Sequence, residues 1–371
     1  MTRVLITGGA GFIGSHLADE LLEHGYEVRA LDVLDEQVHG PLGERPEHLD
    51  PRVELIVGDV ADPSAVRYCL EGVEAVVHLA ARVGVGQSMY EAVAYSRVNT
   101  LGTAVLMEAL EESDVERLVV ASSMSIYGEG LYIGPDGRLH SSIRRDRAQL
   151  QGRRWEPVDE KGRALSPVAT PEWKPPDLAS VSALTKYDQE RMCLLLGEAR
   201  SIPTVALRLF NVYGPRQALS NPRTGVLAIF VSRLLNGRPP LVFEDGLQRR
   251  DFVHVRDVAR AFRLALERPV GAETINIGAG RSFTIAQIAQ RLARVMQRDI
   301  EPEIIGSFRG GDIRHCFADG GKATDVLGFQ AEVDFDAGLS DLASWLDGDG
   351  QGAADHVEYA HDQLARRGMR I

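Results

Sequence analysis

The stretch TGGAGFIGSHL, residues 7–17, follows directly on the apolar run RVLIT (3–7) and opens an amphipathic segment. It sets Gly8, Gly11 and Gly14 at three-residue spacing and also spells Gly9-x-Gly11-x-x-Gly14. Glycines placed there let the chain turn sharply off a strand. They also let backbone N–H groups, among them those of Phe12 and Ile13, approach a pyrophosphate at the positive end of the next helix. A glycine motif alone is a weak signal. A strand before it and a helix after it make it a strong constraint on the local fold.

The first half of the chain keeps this rhythm. Apolar runs recur at EVRALD (27–32), VELIVGD (53–59), AVVHLA (75–80), RLVVASS (117–123) and TVALRLF (204–210). Helix-like stretches lie between them, such as GSHLADELLEHG (14–25) and RVNTLGTAVLMEALEES (97–113). Apolar strands alternating with amphipathic helices predict a parallel sheet covered on both faces, a doubly wound α/β Rossmann fold. TINIGAG (274–280) reads as one more strand. Ligands bind such sheets at the carboxyl ends of the strands. Residues 1–212 with 248–278 are therefore expected to form the dinucleotide-binding domain. A smaller mixed α/β domain is expected from 213–247 and 279–345. DGDGQGA (347–353) reads as a flexible link to a tail, 346–371, with a small amphipathic helix.

Residues 129–178 break the rhythm, being rich in Arg, Gly and Pro. A loop this long inside a compact domain is expected to be a lid or binding loop, its arginines attracting an anionic ligand.

The 371 residues suit two domains, and a net charge of −12 argues against a nucleic-acid partner. The start MTRVLITGG reads as no secretory signal, and no apolar run approaches the roughly 20 residues of a membrane helix. Cys69, Cys193 and Cys316 are far apart, without metal-ligand spacing. Buried inert thiols in the cytoplasm are expected.

Within the first domain, Asp32 ends the second run. A carboxylate there accepts hydrogen bonds from a ribose diol and repels a 2′-phosphate, which favours NAD over NADP. Asp59 and Val60 end the third run at the adenine edge. His78-Leu79-Ala80-Ala81 ends the fourth along the cofactor's path, with packing the competing role for His78.

TGGAGFIG, HLAA, VNTLGT, SSMSIYG, LRLFNVYGPRQ, RRDFVHVRDVA and FRGGDIR together resemble the extended short-chain dehydrogenase/reductases, in particular the NAD-dependent nucleotide-sugar epimerase/dehydratase group. The resemblance implies oxidation and re-reduction of C4 of a nucleoside-diphosphate sugar. It makes Ser123 the hydroxyl beside the reacting oxygen, Lys186 the lysine that acidifies a tyrosine, and Asn99 a cofactor anchor. Asn211, Arg216, Arg250 and Arg309 would grip the sugar nucleotide, with Ser125 beside them. Dehydratases of the family resemble one another in an Asp-Glu pair after the Ser/Thr; here Met124-Ser125 stands there, which disfavours dehydration and leaves epimerisation or simple 4-keto reduction, and Asp32, in disfavouring NADPH, weighs against a dedicated reductase. The features HGPLGERPEHL, VGVGQSMYE and NPRTGVLAIF resemble the dTDP-L-rhamnose 4-epimerases, with UDP-sugars as alternatives. A homodimer through helices near 97–113 and 182–200 is implied in the same way.

One position departs from the family. Where the pattern has Tyr-Ala-Leu-Thr-Lys, this chain has Ser182-Ala183-Leu184-Thr185-Lys186. A replacement that traps a substrate complex, a natural protein of weak or no activity, and a stand-in phenol are three explanations. Tyr187 points about 140° around the helix from Ser182, which leaves Tyr127 the better stand-in.

Overall fold

The computed structural model describes residues 2–40, 43–219, 225–268, 270–308, 312–349, 363, 366 and 367. Seven strands make the main sheet: β1 (Arg3–Thr7), β2 (Glu27–Asp32), β3 (Glu54–Val57), β4 (Ala75–His78), β5 (Arg117–Ser123), β6 (Thr204–Leu209) and β7 (Glu273–Ile277). They run parallel in the order β7-β6-β5-β4-β1-β2-β3. The strand order reverses between β1 and β4, and this is the place where a crevice opens at the carboxyl ends.

The strands are continuous apolar runs because helices bury both of their faces. The helices used below are α1 (Phe12–Glu23), α2 (Pro63–Leu70), α3 (Gly102–Ala109), α4 (Val181–Ala199), α5 (Val226–Leu235), α6 (Val255–Glu267), α7 (Ile285–Val295) and α8 (Phe335–Asp349). Side chains alternate along a strand, so Val4 and Ile6 pack with Leu17 and Leu21 of α1 and Phe262 of α6. Leu5 faces the other way, among Val66 of α2, Leu106 of α3 and Leu194 of α4.

A third apolar cluster joins α5, α7 and α8 around Phe230, Leu292 and Leu339. A small sheet connects it to the first body: Asn211–Tyr213 pairs with Arg249–His254, which also pairs with Ser282–Thr284 and His315–Cys316. This sheet carries Asn211 and Arg250. Helix α8 continues to Asp349, so the first residues expected as a flexible link are helical; 350–353 lie outside the described residues, as does most of the tail.

Residues 129–178 form a folded excursion. Leu131–Ile133 pairs antiparallel with Leu139–His140 and with Ser166–Val168, over a small cluster of Tyr132, Ile143 and Leu165. Where the sequence suggests arginines facing an anion, three have carboxylate partners: Arg144 with Asp177, Arg145 with Glu129 and Glu244, and Arg163 with Asp136 and Asp159. In a chain with more acidic than basic residues, nearby carboxylates capture these guanidiniums.

One buried ion pair fastens α4 to the sheet. Arg208 of β6 forks onto Glu190 of α4 at 2.9 and 2.6 Å, and Ser122 of β5 donates to the same carboxylate at 2.6 Å. Removing one partner would leave the other charge buried and unpaired. Arg208→Met is expected to lower unfolding free energy by about 3–5 kcal/mol in urea denaturation; a loss below about 1 kcal/mol, the range of a surface pair, would contradict this account.

Candidate active site

The glycine turn leaves β1 with Gly8 at φ +71°, a conformation costly for other residues. Its N–H donates to Leu31 O at 2.7 Å, which ties the turn to β2. A Cβ on Gly8 would lie 2.9 Å from Ala80 N, and one on Gly14 only 2.3 Å from Gly8 O. The turn is therefore packed as closely as backbone allows. Gly11 caps α1 without any side-chain cap bond. The N–H groups of Phe12, Ile13 and Gly14 have no acceptor among the described residues. Uncapped first-turn amides form a ready anion site.

Asp32 stands beside this turn at the end of β2. One carboxylate oxygen accepts Ala10 N at 3.0 Å and the other Leu34 N at 2.9 Å, with His39 Nε2 3.7 Å away. Each oxygen keeps acceptor capacity for a diol. Asp59 accepts from Ala61 N and pairs with Arg97 at 2.5 Å, while Val60 packs against Gly102. Leu79, Ala80 and Ala81 are half-buried beyond β4.

His78 is fully buried, and burial holds its pKa down at about 3. The neutral ring belongs to a chain of hydrogen bonds. Ala80 N donates to Thr7 Oγ1, which lies 2.7 Å from His78 Nδ1. His78 Nε2 lies 2.8 Å from Thr103 Oγ1 and 3.1 Å from Gln189 Nε2, and Thr103 Oγ1 donates to Asn99 O. The imidazole has a structural role.

Next to this chain sits Lys186, buried on α4. Its Nζ donates to Gln189 Oε1 at 2.8 Å, and Gln189 Nε2 reaches Thr103 Oγ1 at 3.0 Å and Ala80 O at 3.2 Å. No carboxylate lies within ion-pair distance of Lys186 among the described residues. Burial lowers its pKa to about 8, with Cys193 and Glu190 pulling weakly the other way. Gln189 was not among the residues singled out from the sequence. Its signal was there: three residues after Lys186 places both on one helix face.

Asn99 is fully buried and fully engaged. Its amide accepts Arg82 N at 2.7 Å and donates to Arg82 O and Thr185 Oγ1. What it anchors directly is the turn after β4, to α4. At the end of β5, Ser123 Oγ accepts both the N–H of Ser125 at 3.1 Å and its hydroxyl at 2.9 Å. The Ser123 proton remains free to donate. Ser182 is buried at the first turn of α4, behind the Ser180 cap, and its hydroxyl has no partner among the described residues.

Tyr127 is held away from a catalytic role. Tyr127 Oη donates to Asn276 Oδ1 at 2.8 Å and accepts from Arg208 at 2.9 Å, beneath Lys174 and Arg208. Burial pushes its pKa far up. A buried, doubly bonded phenol serves the core, not proton transfer. Tyr187 packs against the cluster of Met124, Tyr127 and Phe210.

Among the expected sugar-nucleotide residues, Asn211 donates to Asp251 O at 2.9 Å. Arg250 donates to the carbonyls of Arg249, Ile313 and Arg314, with no carboxylate in ion-pair distance among the described residues. Burial lowers its pKa, against the opposing pull of Asp312. Arg216 pairs with Asp19 on α1 at 2.7 Å, so its charge is already matched in this arrangement. Arg309 lies outside the described residues.

The model of the NAD dependent epimerase/dehydratase family matches residues 4–144 and 167–278. The chain belongs to this family. A dTDP-L-rhamnose 4-epimerase of Burkholderia thailandensis is 35% identical over 93% of this chain and 94% of its own length. A putative UDP-glucose 4-epimerase of Methanocaldococcus jannaschii is 31% identical over 92% and 98%. Among solved structures, the UDP-glucose 4-epimerase of Thermus thermophilus in complex with NAD superposes with a TM-score of 0.75 at 31% identity, covering 94% of this chain and 99% of that one.

The glycine turn is the part of the family site that this structure tests most sharply for a dinucleotide, and the residues fit. Gly14→Ala would put its methyl 2.3 Å from Gly8 O. It is expected to weaken NAD binding at least tenfold by titration calorimetry; unchanged affinity would contradict this placement of the cofactor.

Proposed function

We propose that this chain is a nucleotide-sugar 4-epimerase that works with tightly bound NAD and has low turnover because Ser182 occupies the place of the acid/base. The observation that carries the reading is the convergence of three features at the carboxyl ends of β1, β4 and β5. These are the uncapped amides of α1, the unpaired Lys186 and the free proton of Ser123.

The α1 amides hold the pyrophosphate and Asp32 the adenosine ribose. When bound, NAD supplies the acceptor and donor of the C4 hydride. The chain must handle the proton of the 4-hydroxyl. Ser123 directs its hydrogen bond at that oxygen, with Ser125 behind it. Lys186, with a pKa near 8, is largely protonated at neutral pH and brings positive charge to the proton-transfer site. A serine hydroxyl is far less acidic than a phenol, and its side chain is too short to span a ring's place. Arg250 carries an unmatched positive charge suited to a diphosphate, and an arginine fork fits phosphate oxygens. Asn211 stands on the neighbouring strand.

A dTDP-linked 6-deoxyhexose is the preferred substrate, on the strength of the 35% identical relative; a UDP-sugar is the alternative. A non-catalytic binder of NAD and a sugar nucleotide is the second reading. It is favoured by the lack of a free phenol at two candidate positions: Ser182 has none and the hydroxyl of Tyr127 is locked. A homodimer is proposed through the helices near 97–113 and 182–200, where Leu101, Leu184 and Leu195 are exposed. Leu101→Asp should then sediment as a monomer; a parent chain that is already monomeric would remove this proposal. The free, buried Cys69, Cys193 and Cys316 suit a reducing cytoplasm.

Restoring the phenol separates the two readings. Ser182→Tyr is expected to raise 4-epimerase turnover on dTDP-L-rhamnose or UDP-glucose roughly 10²–10⁴-fold, the usual share of general acid–base catalysis. Tight ligand binding with no exchange at C4 in either form would favour the non-catalytic reading.

A further inference from the structure

Arg250 donates to the carbonyls of Ile313 and Arg314, so its direction depends on what holds residues 312–315. A buried ionic cluster holds them. Arg314, wholly inaccessible to solvent, binds Glu156 at 2.5 Å, Glu244 at 2.9 Å and Asp245 at 2.6 and 3.0 Å. Its backbone N–H and that of His315 donate to Glu129. Arg145 donates to Glu129, to Glu244 and to the carbonyl of Asp312. Glu156 closes the ring through His315 Nε2 at 2.9 Å.

Two members, Arg145 and Glu156, come from residues 145–166, between the two segments that the family model matches. The excursion of this chain is thus wired into the backbone that aims Arg250.

We infer that Glu156 is a positioning residue: from within the excursion it fixes the Ile313–Arg314 backbone, and through it the guanidinium of Arg250, for a nucleoside diphosphate. The inference rests on the proposed function, in which Arg250 faces the diphosphate. It assigns the excursion a part in recognising the β-phosphate. Glu156 is suited to the test because its side chain is 42% exposed and Arg314 keeps Glu244 and Asp245 when it is changed.

The experiment compares the unaltered chain with Glu156→Gln and Glu156→Ala, using dTDP, dTMP, UDP, UMP and NAD as probes in titration calorimetry. The gain in affinity from mono- to diphosphate is expected to shrink roughly threefold to tenfold in Glu156→Gln, the size of an indirect coupling. It should shrink further in Glu156→Ala. Affinity for dTMP, UMP and NAD should hold. A diphosphate gain unchanged in both variants overturns the inference and leaves the proposed function standing. A parallel fall for NAD also overturns it, since that marks general loosening. Failure of the unaltered chain to bind either diphosphate would overturn the proposed function, and the inference with it.

Discussion

The uncapped start of α1, pressed against the ends of β1, β2 and β4, is the constraint on which the rest of the site depends. Three amides have no acceptor among the described residues, and no side chain fits where a Cβ would meet Ala80 or Gly8. An anion is the natural partner of such a surface. Once a pyrophosphate is placed there, the direction of the dinucleotide follows. On the proposed reading its ribose would lie towards Asp32 at one end, and its reactive ring towards Lys186 and Ser123 at the other.

Around that cradle, buried charge is arranged in two ways. Arg208 with Glu190, and Arg314 with its three carboxylates, are ionic groups that fasten elements together. Lys186 and Arg250 are left without a carboxylate within reach among the described residues. Burying a charge without a partner is costly, so these two cations are the ones that a ligand's negative charge would stabilise. The hydrogen-bond chain from Ala80 through Thr7, His78 and Thr103 to Asn99 keeps the floor of the site neutral and rigid.

Much of the first body was legible because its signals are local. Each strand of the main sheet, with the helix after the glycine turn, follows from apolar runs punctuated by turn residues. Asp32, Ser123 and Lys186 stand where strand ends or a helix face put them. The same locality gave the wrong weight to Tyr127: sequence places it near the site, but only packing shows Arg208 and Asn276 enclosing its hydroxyl. The excursion was read as a lid or binding loop because it is long and rich in Arg, Gly and Pro. Its order comes from contacts between residues far apart in sequence, such as Glu156 with Arg314, which no window of sequence contains. Arg216 was expected at the substrate, yet the nearby carboxylate of Asp19 on α1 takes its charge.

The central claim is that a dinucleotide lies across the carboxyl ends of β1, β4 and β5 with its nicotinamide beside Lys186. The most direct test is a crystal structure of the chain grown with NAD. The account predicts the pyrophosphate over the amides of Phe12 and Ile13, the adenosine ribose on Asp32, and Lys186 Nζ turned from Gln189 to the nicotinamide ribose. A dinucleotide bound in the reverse direction, or away from the glycine turn, would contradict it.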